Sequence, residues 1–129
     1  MFSVLLSIYK KEKPEHFSLA LKSILKQTIC PNEIIIVKDG MLTKELENTI
    51  LFFKKKYPII HIIELSSNQG LGKALNEGLK HCTYDIVARM DTDDIALPDR
   101  FEKQVDFMEN HPEIDACSAW IDEFIDSPN

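Results

Sequence analysis

Positive charge is in short supply: 15 Lys and Arg stand against 21 Asp and Glu, a formal charge of -6. A general nucleic-acid binder wants a basic face, so that class is set aside. Phosphate ligands stay open, because they need only a local positive site. Cysteine is scarce as well. Cys30, Cys82 and Cys117 are odd in number and widely spaced. They give neither a zinc pattern nor a disulfide framework. Small buried or half-buried thiols in a reducing cytoplasm are the simplest reading. The histidines, His16, His61, His81 and His111, show no mutual metal spacing. His61 lies inside an apolar run and reads as a core histidine. No membrane-length hydrophobic run is present. Met1–Ile8 is apolar, but it lacks a basic flank and a small-residue cleavage site and is too short to span a bilayer. Repeats, linkers and low-complexity segments are missing too, and 129 residues point to one domain, 1–129.

What is present is an alternation. Apolar runs at Phe2–Ile8, Glu33–Val37, Ile59–Leu65, Ile86–Met90 and Ala116–Ile121 read as strands. Between them, apolar residues recur at helical spacing. Phe17, Leu21, Ile24 and Leu25 follow Pro14, which suits a first helical turn. Leu42, Leu46, Ile50, Phe53 and Tyr57 mark a second helix, and Leu71, Leu75 and Leu79 a stripe on a third. Phe101, Val105 and Met108 mark a fourth, opened by Pro98-Asp99. Five strands and four helices in strict alternation predict an α/β fold. Its sheet is mainly parallel and five-stranded, with helices on both faces and right-handed crossovers.

Such a sheet gathers the loops after its strands on one edge, where open α/β sheets bind ligands. That edge would carry Tyr9 and Glu12, Asp39, Asn68 to Lys73, and Asp91 to Asp94. The run Ile86–Met90 ends in three acids within four residues, Asp91, Asp93 and Asp94. Charges so close repel unless a cation lies among them, and Mg²⁺ is usually held by one or two carboxylates plus substrate phosphates. In an extended segment Asp91 and Asp93 would face the same way, with Asp94 pointing elsewhere or capping the next helix. A solvated acidic turn is the plainer alternative. Asp39 beside Gly40 is either a base-binding carboxylate or a turn residue. Asn68-Gln69-Gly70-Leu71-Gly72-Lys73 is either a phosphate-attracting run into a helix start or a loop with a surface lysine. It lacks the G-x-x-x-x-G-K-[ST] and G-x-G-x-x-G spacings. Tyr9 is either an aromatic that stacks on a planar base, which Ser7 and Glu12 would hydrogen-bond, or a rim aromatic.

These segments resemble family 2 glycosyltransferases of the GT-A fold. Ser3–Lys10 and Ala20–Thr28 resemble the family's start, and Glu33–Gly40 its second strand and acidic turn. Asn68-Gln69-Gly70 with Lys73–Gly78 resembles its third segment. Asp91–Asp94 with Leu97–Arg100 resembles its metal-binding D-x-D and following helix. The resemblance covers nearly the whole chain in order. It implies a Rossmann-like GT-A half and a nucleotide-sugar donor, UDP-sugar by preference. It also implies Mg²⁺ or Mn²⁺ and a glycan or lipid-linked acceptor. At the matching positions Ser7, Tyr9 and Asp39 would hold the base, with Glu12 nearby. Asn68, Gly70 and Lys73 would lie near the base or diphosphate. Asp91 would contact ribose or metal, and Asp93 would ligate the metal. One departure is Lys38, which stands where the family often has the first of two acids. Another is the catalytic base, expected beyond residue 129. Asp122, Glu123 and Asp126 are candidates in the weakest sense only. The resemblance therefore implies a donor-binding half, weak in transfer by itself. It would work in the cytoplasm, with the inner membrane face as a second setting, and would be prone to self-associate through an exposed sheet edge.

Three other readings are weighed against it. A sugar nucleotidyltransferase wants a glycine-rich, basic loop directly after the first strand, and Tyr9 to Pro14 contains no glycine. A non-catalytic nucleotide-sugar-binding module shares every donor-site feature. A receiver domain has similar length and alternation. It needs an acidic pair after the first strand, an Asp after the third and a Lys after the fifth. Ser7-Ile8-Tyr9 and Glu64-Leu65-Ser66-Ser67 stand in the first two places, and no Lys follows Asp115.

Overall fold

A computed structural model describes residues 1–118. Its elements, in order, are β1 (Phe2–Ile8), α1 (Pro14–Leu25), β2 (Glu33–Lys38), α2 (Lys44–Lys56), β3 (Ile60–Glu64), α3 (Leu71–Leu79), β4 (Ile86–Arg89) and α4 (Arg100–Asn110). The strands form one parallel sheet in the order β3-β2-β1-β4. The expected fifth strand, Ala116–Ile121, is described only in its first three residues. Ala116–Ser118 carry no strand, and residues 119–121 lie outside the described residues. The sheet among the described residues has four strands.

The order follows from handedness. Stepping from β1 to β2 to β3 with right-handed crossovers puts α1 and α2 on one face. Returning past β1 to β4 reverses the step and puts α3 on the other. The packing shows this division. Phe2, Val4, Leu6 and Ile8 of β1 meet Phe17, Leu21 and Ile24 of α1, Leu46, Ile50 and Phe53 of α2, and Phe101 and Val105 of α4. The alternate residue Leu5 joins Ile35, Val37 and Ala74 on the opposite face, as the two-residue period of a strand requires. Central β1 and β2 are thus covered on both sides and are apolar almost throughout. Each fully buried Leu or Ile stabilises the fold by roughly 1.5–3 kcal/mol relative to exposure.

Three sequence expectations fail at the periphery. Cys30 and Cys117 are exposed, and only Cys82 is the half-buried thiol expected. Leu71 and Leu79 do not form the packing stripe of α3, since both are about half exposed. The helix rests on Ala74 and Gly78 instead, with Leu75 partly buried against the second cluster. His61 is not a core residue. β3 lies at an edge of the sheet, and α3 does not reach across to cover His61, which is exposed.

The reversal of strand order places a topological switch point between β1 and β4. The crevice outside the carboxyl ends of those strands is where such sheets accept ligands.

Candidate functional site

Four loops meet at this edge, and side chains tie them together in two pairs. The first pair joins the end of β2 to the loop before α3. Asp39 is buried, and its carboxylate accepts the Gln69 N–H at 2.7 Å and the Gly70 N–H at 3.1 Å. Gly40, at φ +89°, lets the two backbones touch: a Cβ there would stand 2.8 Å from the Asn68 nitrogen. Gly70, also at positive φ, caps α3. Asp39 is therefore a turn residue and a clamp on the loop, and each of its oxygens keeps a lone pair for a further donor. Asn68 and Lys73 project into solvent from the clamped segment. Lys38 faces the other way. Its ammonium lies 2.7 Å from both Glu47 and Glu64. Burial works against its charge, but hydrogen bonds and the charge of those two carboxylates hold its pKa above the ordinary value. The departure at Lys38 thus points away from the loop that Asp39 holds.

The second pair joins the loop after β1 to the acidic turn after β4. Ser7 is half-buried near the end of β1, and Tyr9 is 45% exposed. The Tyr9 carbonyl accepts the Glu12 N–H at 3.1 Å. This turn folds the Glu12 side chain inward until it is 11% exposed, where it accepts the Thr92 hydroxyl at 2.5 Å.

Asp91–Asp94 is not the extended segment expected. The Asp94 N–H bonds the Asp91 carbonyl at 3.2 Å, so the acids sit on a tight turn with Thr92 pointing in. Asp94 does not point elsewhere, and it does not cap α4, whose N-cap is Asp99. Asp91, Asp93 and Asp94 are all exposed, and each brings a carboxylate oxygen within 4.8 Å of the others. Partial burial first, then the charges of Asp91 and Asp93, push the Asp94 carboxyl above its ordinary range. Arg89 partly offsets the repulsion through a 3.1 Å bond to Asp91. Three hard oxygen donors, mutually repelling and open to solvent, fit a divalent cation such as Mg²⁺ or Mn²⁺.

Residues 3–129 match the family model for glycosyl transferase family 2. The chain belongs to that family. Among its relatives, the amylovoran biosynthesis glycosyltransferase AmsE of Erwinia amylovora is 49% identical over 124 residues, covering 96% of this chain and 46% of the relative. The UDP-Gal:alpha-D-GlcNAc-diphosphoundecaprenol beta-1,3-galactosyltransferase of Escherichia coli is 44% identical over 127 residues, with 98% and 46% covered. The crystal structure of S. aureus TarS in complex with UDP-GlcNAc superposes with a TM-score of 0.74 at 25% identity. It covers 86% of this chain and 32% of the solved TarS chain, residues 1-349. The chain spans about half the length of the curated relatives it matches.

Several residues of this family 2 chain that shape the site carried no role in the sequence reading. Gln27, 6% exposed, donates to the Ser23 carbonyl at 3.0 Å and the Leu97 carbonyl at 2.6 Å, and accepts the Phe101 N–H at 3.0 Å. Ser23 accepts the Ala96 N–H at 3.0 Å. Together they pin the segment after the acids onto the end of α1. Gln27 follows the buried Ile24 by three positions, one helical turn. A polar side chain at that spacing was the available signal. Arg100 supports the turn from α4. Burial lowers its pKa against the opposing charge of Asp94, and its guanidinium donates to the Arg89 carbonyl at 3.0 Å.

Proposed function

We propose that this chain is the donor-binding part of a glycosyltransferase that moves a sugar from a nucleotide-sugar, UDP-sugar by preference, to a glycan or lipid-linked acceptor. The observation that carries this reading is the exposed acidic turn at the switch point, on the same sheet edge as a clamped loop and an exposed aromatic. Tyr9 stacks on the base, and Ser7 and Asp39 hydrogen-bond it. Lys73 and the Asn68–Gly70 backbone lie toward the base or diphosphate. Asp91 and Asp93 hold Mg²⁺ or Mn²⁺, which neutralises the diphosphate as leaving group. The reaction is read as inverting and therefore needs a carboxylate to deprotonate the acceptor hydroxyl.

The E. coli relative is named for an acceptor on a diphosphoundecaprenol lipid, which supports work at the inner face of a membrane. No helix among the described residues is long and apolar enough to cross one. β4 pairs with β1 alone among the described residues, and its Ile86, Val87 and Ala88 are only half-buried. Such an edge favours self-association or docking of further chain.

The test is calorimetric titration of UDP, with and without Mn²⁺, into the wild-type chain and Asp93→Ala. Metal-dependent binding lost in the variant is expected. Absence of binding to UDP, GDP and dTDP by a folded chain would sink the reading. Donor binding that persists without transfer, even with the acceptor half supplied, would favour the non-catalytic module.

A further inference from the structure

Three carboxylates crowded onto one exposed turn repel each other, and something must keep that turn from splaying. Its own hydrogen bond, from Asp94 to Asp91, is long at 3.2 Å. Arg89 reaches Asp91 from the adjacent strand, but that side chain is itself 52% exposed. Thr92 differs from its acidic neighbours. It is 6% exposed, turned inward, and donates its hydroxyl to Glu12 at 2.5 Å across 80 residues of sequence. Glu12 is held in turn. Its other oxygen accepts the Lys13 N–H at 2.9 Å and lies 3.8 Å from His16, while its backbone is fixed by the turn to Tyr9. A hydrogen bond to an ionised acceptor is about twice as strong as a neutral one. This bond spans the switch point itself, from the loop after β1 to the turn after β4.

We propose that Glu12 and Thr92 are a positioning pair that holds the acidic turn closed for a divalent cation. Glu12 then acts through Thr92 and touches neither base nor metal. The inference rests on the metal reading above and deepens it. Groups that orient metal ligands are worth about 10–100-fold in metal affinity.

The experiment measures Mn²⁺ uptake on the full chain by the loss of the free-ion EPR signal, with UDP affinity determined with and without Mn²⁺. Thr92→Val, which keeps the shape and removes the hydroxyl, weakens Mn²⁺ binding about 10-fold or more, and Thr92→Ser restores it. The ratio of UDP affinity with metal to that without falls in the same variant. Glu12→Ala gives a similar loss, and the double variant is no worse than either single one, because both remove one interaction. Wild-type Mn²⁺ affinity in Thr92→Val overturns the pair, and so do additive losses in the double variant. Should the valine chain fail to fold, Thr92→Ala against Thr92→Ser carries the same comparison. A wild-type chain that takes up no Mn²⁺ overturns the metal reading itself, a result distinct from any variant effect.

Discussion

Asp39 accepts two N–H groups from a loop 30 residues further along the chain, so one buried carboxylate serves both the fold and the shape of the site. Its neighbour Gly40 signals a turn from sequence alone, but the partners of Asp39 are distant in sequence. Local reading therefore left its role divided. Asp39→Asn offers one acceptor oxygen where two are used and sets an amide N–H against a backbone N–H. The unmatched donor should cost about 1–3 kcal/mol, read by urea unfolding, with faster hydrogen exchange at Gln69 and Gly70. Lys38 gives a second prediction. Its hydrogen bond and charge hold Glu64 below the ordinary carboxylate value of 4.5. A carboxylate depressed in the folded state adds stability above its unfolded pKa and loses it as pH falls through the folded one. Lys38 itself, raised above 10.5, keeps its contribution below that value and loses it as pH climbs through the folded pKa. Between these limits the cluster contributes evenly. Lys38→Met should lower the melting temperature at pH 7 by more than at pH 3, and equal losses at both would remove the cluster from the account.

The strands and helices were legible because their signals are local: apolar runs bounded by turn residues, and apolar positions three and four apart. The face of α3 was not. Hydrophobic periodicity picks out large residues, and it selected Leu71, Leu75 and Leu79. Close approach of a helix to a sheet demands small ones. At Gly78 an added Cβ would stand 2.5 Å from Leu5 Cδ1 and 2.6 Å from Val37 Cγ2, both belonging to buried residues of the central strands. Gly78→Val should therefore destabilise the chain by about 1–3 kcal/mol through overpacking, measured as a shift in unfolding midpoint. Gly72 lies in the same helix with nothing within 4 Å of its virtual Cβ. Gly72→Ala should instead be neutral or stabilising, by up to about 1 kcal/mol. Equal effects at the two glycines would mean that helix propensity, and not contact with the sheet, governs α3. The same limit explains Thr92 and Gln27. Each is an ordinary polar residue in sequence, and its importance arises only when chain segments 70 or more residues apart are brought together.

For the molecule as a whole, four loops at one sheet edge assemble the groups proposed to hold a donor. The proton acceptor for transfer is a different matter. Asp39 is buried, and each of its oxygens already accepts an N–H from the loop before α3. Glu12 uses both of its own on Lys13 and Thr92. Asp91, Asp93 and Asp94 share one small volume, and the proposed function assigns them to a cation. The relatives are about twice as long as the stretch matched here, so the acceptor's base is expected from a segment outside the described residues. A positioned general base contributes about 10²–10⁴-fold. The 129-residue chain should thus bind UDP with Mn²⁺, yet transfer sugar at less than about one hundredth of the rate of a polypeptide that carries the second half. The comparison is made at matched donor saturation, so that binding does not enter the ratio. Comparable turnover by the two would place the base within the 129 residues, where Asp122, Glu123 and Asp126 lie outside the described part. Asp94 would then be the first to substitute, since its carboxyl is already pushed toward the protonated form by partial burial and by its neighbours.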